Sequence, residues 1–99
     1  MIIRRLVWDE WNIEHIAKHS VRTEEIEDVC LGKRIIINKI GQQKVRVLGQ
    51  TYVGRYLAIF LVNRGGGNFY PISARDCASK ERRFLRRKLR IWQEGRLKP

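Results

Sequence analysis

Cysteine, proline and acidic side chains are scarce in this 99-residue chain, and no long apolar run occurs in it. Its two cysteines, Cys30 and Cys77, are too few and too far apart for a zinc knuckle, and without an export signal they do not make a disulfide scaffold. Both are expected to be free thiols, and neither is a candidate nucleophile. Two prolines in a chain that is 43% hydrophobic exclude a collagen-like or disordered polymer. The longest apolar stretch, residues 56–62, falls well short of the roughly 18 residues that a membrane span requires. The first residues carry no basic leader followed by an apolar segment, so a cytoplasmic location is expected. No Gly-x-Ser-x-Gly, Cys-x-x-Cys or dinucleotide fingerprint is present, which leaves nothing for acyl transfer, redox or hydride chemistry. Gly65, Gly66 and Gly67 lack the Lys-Ser or Lys-Thr that completes a phosphate loop and read as a hairpin turn. A chain of this length builds one core, so one domain covering 1–99 is expected.

Positive charge is abundant instead. Lys and Arg number 21 against 10 Asp and Glu, for a net charge of +11. Residues 1–32 hold four basic and seven acidic side chains, whereas 33–99 hold seventeen and three. Lys80, Arg82, Arg83, Arg86, Arg87, Lys88, Arg90, Arg96 and Lys98 concentrate the excess at the C-terminal end. Such a density attracts a polyanion, because each phosphate neutralised releases condensed counterions. A solubilising helix face or a docking site for an acidic protein would have the same composition.

Periodicity places the elements. Residues 2–7 are short and β-branched, as a first strand is. Asp9 offers a helix N-cap, with Trp11, Glu14, His15, Lys18 and His19 at three- and four-residue intervals behind it. Thr23 is placed to cap a second helix that carries Glu24 and Glu25 in its first turn, buries Ile26, Val29 and Cys30, and stops at Gly32. Beyond Gly32 the period becomes extended. Strands are expected over 34–40, 44–48, 56–62 and 68–74, with turns at 41–42, 49–54 and 65–67. Residues 56–62 are apolar on both faces, as a central strand is, and Pro71 implies an edge position or a bulge. A last helix, opened by Asp76 or Ser79 and running to about Glu94, would pack through Leu85, Leu89 and Trp92. The predicted fold class is α+β, a mainly antiparallel sheet with two N-terminal helices and one C-terminal helix, in the order β-α-α-β-β-β-β-α.

His15 and His19 share a helix face, but a helical zinc site needs a glutamate directly after the first histidine, and Ile16 stands there. No metal or other cofactor is therefore expected. One histidine as general acid or base, or as a helix-end residue bonding a carbonyl, remains open. Strand cleavage of RNA by its own 2′-hydroxyl suits such a chain. It needs a base, an acid and positive charge around the phosphorane, all available from His, Glu, Arg and Lys.

Four segments together resemble a known family. Trp8, Asp9, Glu10, Trp11 and Asn12, then Lys18, His19, Ser20 and Val21 with Glu24 and Glu25, then Gly54, Arg55, Tyr56 and Leu57, and finally Ile72 to Asp76 with Lys80 to Arg83, closely resemble the BrnT-like toxins of bacterial type II toxin–antitoxin pairs. The resemblance runs from about Val7 to Arg87. It implies a RelE-like ribonuclease fold, RNA as substrate, and a small antitoxin, encoded by an adjacent gene, that assembles with the toxin and silences it. The family's Lys-His pair falls on Lys18 and His19, its Ser-Ala-Arg motif on Ser73, Ala74 and Arg75, and its helix glutamate on Glu81. Ser20, Ala78 and Phe84 stand where the family commonly has Gly, Ser or Thr, and Tyr.

The resulting expectation is a metal-independent endoribonuclease. Arg75, at the end of a strand, is the expected transition-state cation, and Arg64 is placed to assist it. His19 and Glu81 are the expected proton-transfer pair, and Lys18, Arg82, Arg83, Arg86 and Arg87 would hold the RNA backbone. The alternative is a catalytically inactive basic module that binds nucleic acid or a protein partner through the same face.

Overall fold

Strict alternation of side chains along the strands divides the molecule into two apolar layers, one on each face of a single sheet. The computed structural model describes residues 1–93 and contains β1 (Arg5–Leu6), α1 (Glu10–Ala17), α2 (Thr23–Cys30), β2 (Ile35–Lys39), β3 (Lys44–Gln50), β4 (Tyr56–Asn63), β5 (Asn68–Asp76) and α3 (Ser79–Gln93). The strand order is β1-β5-β4-β3-β2, with β1 parallel to β5 and every other pair antiparallel. The α+β class and element order are as expected, and β4 is the central strand.

From β4, Leu57, Ile59 and Leu61 face one way and join Val45 and Val47 of β3, Phe69 and Ala74 of β5, Ile16 of α1, and Ile26, Val29 and Cys30 of α2 in the larger core. Tyr56, Ala58 and Phe60 face the other way and meet Leu48 of β3 with Phe84, Leu85 and Leu89 of α3. The two N-terminal helices and α3 thus cover opposite faces. Each fully buried Leu, Ile or Val contributes roughly 1.5–3 kcal/mol, so both layers are needed to hold a chain this small. Trp92 of α3 is half-buried. Arg96, Lys98 and the expected helix end at Glu94 lie outside the described residues.

Several local expectations are corrected. β1 shrinks to two residues, because only Asn68 and Phe69 are available to pair with it. α1 ends at Ala17, which leaves Lys18 and His19 beyond it in the turn that follows. The N-cap of α2 is Arg22, whose N–H donates to Glu25 Oε1 at 3.0 Å, while Thr23 is the first helical residue. β3 does not turn at Gly49 but continues through it. A Cβ at Gly49 would collide with Val29 and Ile35, so this glycine exists for the close approach of α2. Pro71 marks a bulge and not an edge. Phe60 pairs with Ser73 and Leu61 with Pro71, so Ile72 is the extra residue, while β5 itself lies between β1 and β4.

The start of α1 shows what its residues are for. Asp9 accepts from Asn12 N–H at 3.0 Å and Asn12 Oδ1 accepts from Asp9 N–H at 2.9 Å, a closed capping box. The buried Asn12 amide also donates to the Val7 carbonyl, and Trp8 Nε1 donates to Glu27 of α2 at 2.8 Å. The other end of α1 closes with Val21 N–H on the Ile16 carbonyl and Ser20 N–H on the Ala17 carbonyl, with Ser20 at φ 60°. That bond pattern normally recruits glycine at the left-handed position.

Candidate functional site

Where β5 hands over to α3, the chain reverses within two residues and brings the end of a strand against the first turn of a helix. Arg75 pairs with Ala58 and therefore points to the α3 side, as does Arg46 of β3, which pairs with Phe60 of β4. The carboxylate of Glu81, in the first turn of α3, lies between them. It accepts from Arg75 Nη1 at 2.6 Å on one oxygen and from Arg75 Nη2 at 3.0 Å on the other, and Arg46 Nη1 reaches the second oxygen at 3.2 Å. The first oxygen also accepts from Ala78 N–H at 2.7 Å, which caps the helix from the glutamate's side where Ala78 has no hydroxyl to do so. Arg46 is fixed a second time through Nη2 on Asn38 Oδ1 at 2.9 Å. The Arg75 guanidinium lies 5.4 Å from the centroid of the Phe60 ring.

Two guanidiniums therefore share one carboxylate, and the cluster keeps a net positive charge. The Arg75 hydrogen bonds, followed by the Ala78 N–H and the charges of Arg75 and Arg46, hold the Glu81 carboxyl below its usual range despite burial. The same pairing holds Arg75 still more firmly protonated. Glu81 is thus a fixed anion that aims cations, and a poor proton carrier at neutral pH. Cys77, half-buried beside it, is pushed up to about 11 by burial and by Glu81, which keeps it a thiol. Burial pushes Cys30 to about 12.

Beside the pair, α3 carries Arg82, Arg83, Arg86 and Arg87, all exposed. Arg83, Arg86 and Arg90 border an open groove of about 480 Å³ whose other lining includes Tyr56, Leu89 and Gln50. Lys80, Arg83, Phe84 and Arg87 line a second groove. The basic residues picked out on this helix are thereby brought to the face that holds Arg75 and Glu81.

Three expected residues are not brought there. Lys18 and His19 are exposed in the turn after α1, whose Ile16 packs in the layer across the sheet from α3, and the His19 carbonyl accepts from Arg55 Nη2 at 3.5 Å. The Glu81 oxygens accept from Arg75, Arg46 and the Ala78 N–H, and His19 is not among their partners. Arg64 follows the far end of β4, six residues beyond the partner of Arg75 and so about 20 Å along the strand. It stacks on Tyr70 at 4.2 Å instead, and Tyr70 OH donates to the Asp9 carboxylate.

Two arginines that matter here are not among the site residues the sequence singles out. Arg46 was visible only as one polar residue of an alternating strand, and its role depends on register. Arg55 is the more informative miss. Its Nη1 donates to both Glu25 oxygens at 3.0 and 3.1 Å and to the Ser20 carbonyl at 2.7 Å, and its Nε donates to Asp76 at 2.8 Å. One side chain thus ties the α1–α2 turn and α2 to the residue that follows Arg75. Ser20 and Glu25 come from the second of the quoted segments, Arg55 from the third and Asp76 from the fourth, and their meeting point is the signal the sequence offered.

Among solved structures, the crystal structure of the Brucella abortus ribonuclease toxin BrnT is similar to this chain, with a TM-score of 0.62 and 18% sequence identity, over 76% of this chain and 97% of that one. The fold is therefore BrnT-like. No protein-family model and no curated protein matches the sequence. Among the described residues no helix is long and apolar enough to cross a membrane, and no three His, Cys, Asp or Glu side chains converge on a point where a metal could bind.

Proposed function

We propose that this chain, as one domain spanning 1–99, is the toxin of a type II toxin–antitoxin pair, a metal-independent endoribonuclease acting on RNA in the cytoplasm. The observation that carries the reading is the Arg75–Glu81–Arg46 cluster set beside an arginine-lined helix, in a fold shared with a structure described as a ribonuclease toxin. In the proposed reaction the 2′-hydroxyl of RNA gives its proton to water as the 2′-oxygen attacks the adjacent phosphorus, the bond to the 5′-oxygen breaks and that oxygen takes a proton from water, and a 2′,3′-cyclic phosphate and a 5′-hydroxyl result. Negative charge builds on the phosphorane oxygens, and Arg75, half-exposed and anchored from behind by Glu81, presents its remaining N–H groups to it. Arg82, Arg83, Arg86 and Arg87 hold the backbone on either side. A small acidic antitoxin, encoded nearby, would cover the same face and assemble with the toxin, excluding RNA by bulk and by charge together.

This reading gives His19 no role, because its side chain has no hydrogen bond to Arg75 or Glu81. Glu81 serves as a positioning residue. The same observation favours a second reading, an inactive basic module that binds nucleic acid or a partner, because no uncommitted proton acceptor accompanies Arg75 among the described residues. Incubating the purified chain with RNA in EDTA separates the two. Cleavage that falls about 100-fold or more in Arg75→Ala supports the nuclease. Intact RNA with salt-sensitive binding supports the module.

A further inference from the structure

The groove at the start of β4 has a mixed chemistry that neither a bare phosphate nor an apolar protein side chain would use in full. It is lined by Tyr56 and Leu89, by Arg83, Arg86, Arg87 and Arg90, and by Gln50. The four arginines are separated by three- and four-residue steps, 83 to 86 and 87 and on to 90, and so project from one side of α3. The volume of about 480 Å³ lies within the range of small-ligand sites. A flat ring bearing a phosphate matches both the aromatic and the cationic part of that lining. Gln50 adds direction. Its Nε2 donates to the Gly54 carbonyl at 3.2 Å, which only the amide nitrogen can do, so the side-chain orientation is set and Oε1 remains an acceptor. Among the described residues no donor occupies that oxygen.

We infer that this groove is a nucleobase subsite for single-stranded RNA: the base stacks on Tyr56, its exocyclic amine donates to Gln50 Oε1, and the neighbouring phosphate lies on Arg83, Arg86 and Arg90. The inference rests on the RNA reading above and gives it a specificity. The location fits, because Tyr56 stands two residues before Ala58, the strand partner of Arg75, a separation of about 6–7 Å along β4. Tyr56 is also tied to the segment after Arg75 through the Cys77 N–H on its carbonyl at 3.0 Å. A base held in the groove therefore adjoins a phosphate held at Arg75. Adenine, cytosine and guanine each carry an exocyclic amine at the ring edge, whereas uracil presents a single N–H between two carbonyls. The subsite accordingly prefers the amino-bearing bases over uracil.

The test measures binding of uncleavable 2′-O-methyl oligouridylates in which one central base is varied, by fluorescence anisotropy at several salt concentrations. The wild type is expected to bind an amino-bearing base about tenfold more tightly than uracil. Gln50→Leu should erase that difference. Tyr56→Leu should weaken binding of every oligonucleotide by about tenfold, and Tyr56→Phe, which keeps the ring, should restore it. Thermal unfolding of each variant confirms that it folds, and exposed Gln50 provides a variant that leaves the core untouched. Tight, salt-sensitive wild-type binding with no base preference, or a preference that survives Gln50→Leu, overturns the subsite and leaves the RNA reading standing. Absence of any salt-sensitive binding overturns both.

Discussion

Replacing Glu81 with Gln removes one charge at nearly constant volume and isolates the part of the site that the fold has to hold together. In the native protein one carboxylate, 11% exposed, accepts two hydrogen bonds from Arg75, one from Arg46 and one from the Ala78 N–H. The amide keeps a single acceptor oxygen and turns an NH₂ toward a guanidinium. Arg75 and Arg46, 40% and 29% exposed, are left as neighbouring like charges. Removing one partner of a fully buried pair costs about 3–5 kcal/mol, and an exposed pair is worth about 0–1 kcal/mol. Partial exposure of both arginines places this substitution between those limits, at about 2 kcal/mol, which for a domain of this size lowers Tm by about 8–16 °C.

The pH dependence identifies the cause. Because the Arg75 hydrogen bonds depress the folded-state pKa of Glu81, its contribution is fully present above the unfolded value, near 4.5, and disappears as pH falls through the folded value. The stability difference between wild type and Glu81→Gln should therefore be complete at neutral pH and shrink steadily below about pH 4.5. Asp9, Glu24 and Asp76 are also held below their usual range, but they titrate alike in both proteins and cancel from the difference. Urea unfolding of both proteins across this range measures it. Equal stability at neutral pH, or a difference undiminished in acid, would refute the claim that this carboxylate anchors the two arginines.

Three further outcomes are expected. Ser20→Gly should raise stability by about 1 kcal/mol in thermal unfolding, since Ser20 occupies a left-handed conformation that costs an L-residue roughly that much. Gly49→Ala should destabilise by about 1–3 kcal/mol, because its methyl group meets Val29 and Ile35, and Val29→Ala should recover part of the loss in the double variant. Reversing Arg83, Arg86 and Arg87 to Glu should weaken RNA binding and flatten its dependence on salt while leaving Tm nearly unchanged. An unchanged salt slope would move the phosphate-contacting surface to the region of Lys33, Arg34, Lys44 and Arg46.

The sequence disclosed whatever depends on near neighbours. The Asp9 cap, the buried stripe of α2 and the central position of β4 all follow from residue type and spacing within a few positions, and Pro71 narrows its strand to an edge or a bulge, of which the structure has the bulge. Facts that depend on which face a strand residue takes were not legible. Gly49 looked like a turn because its reason, Val29, is twenty residues away and only docking of α2 makes it a neighbour. His19 was paired with Glu81 because spacing alone cannot say that α1 and α3 cover opposite faces.

The same distinction sorts the segments that carry the family resemblance. Trp8, Asp9 and Asn12 spend their polar atoms on capping α1 and holding α2, and the Ser20 carbonyl, Glu25 and Asp76 spend theirs on Arg55. These residues build the frame on which a site is mounted, and only the last segment, with Arg75 and Glu81, reaches the cation cluster. Likeness in the first three segments is therefore evidence about fold, in keeping with the structural similarity found at 18% identity. Chemistry has to be judged on the α3 face alone. There, among the described residues, the chain presents a fixed pair of guanidiniums, a row of arginines and a groove lined in part by Tyr56, with no uncommitted carboxylate beside Arg75. A nuclease built this way would gain its rate from charge stabilisation and substrate alignment, so removing Arg75 should cost far more than removing His19. Cleavage rates that order the other way would relocate the catalytic centre to the α1–α2 layer.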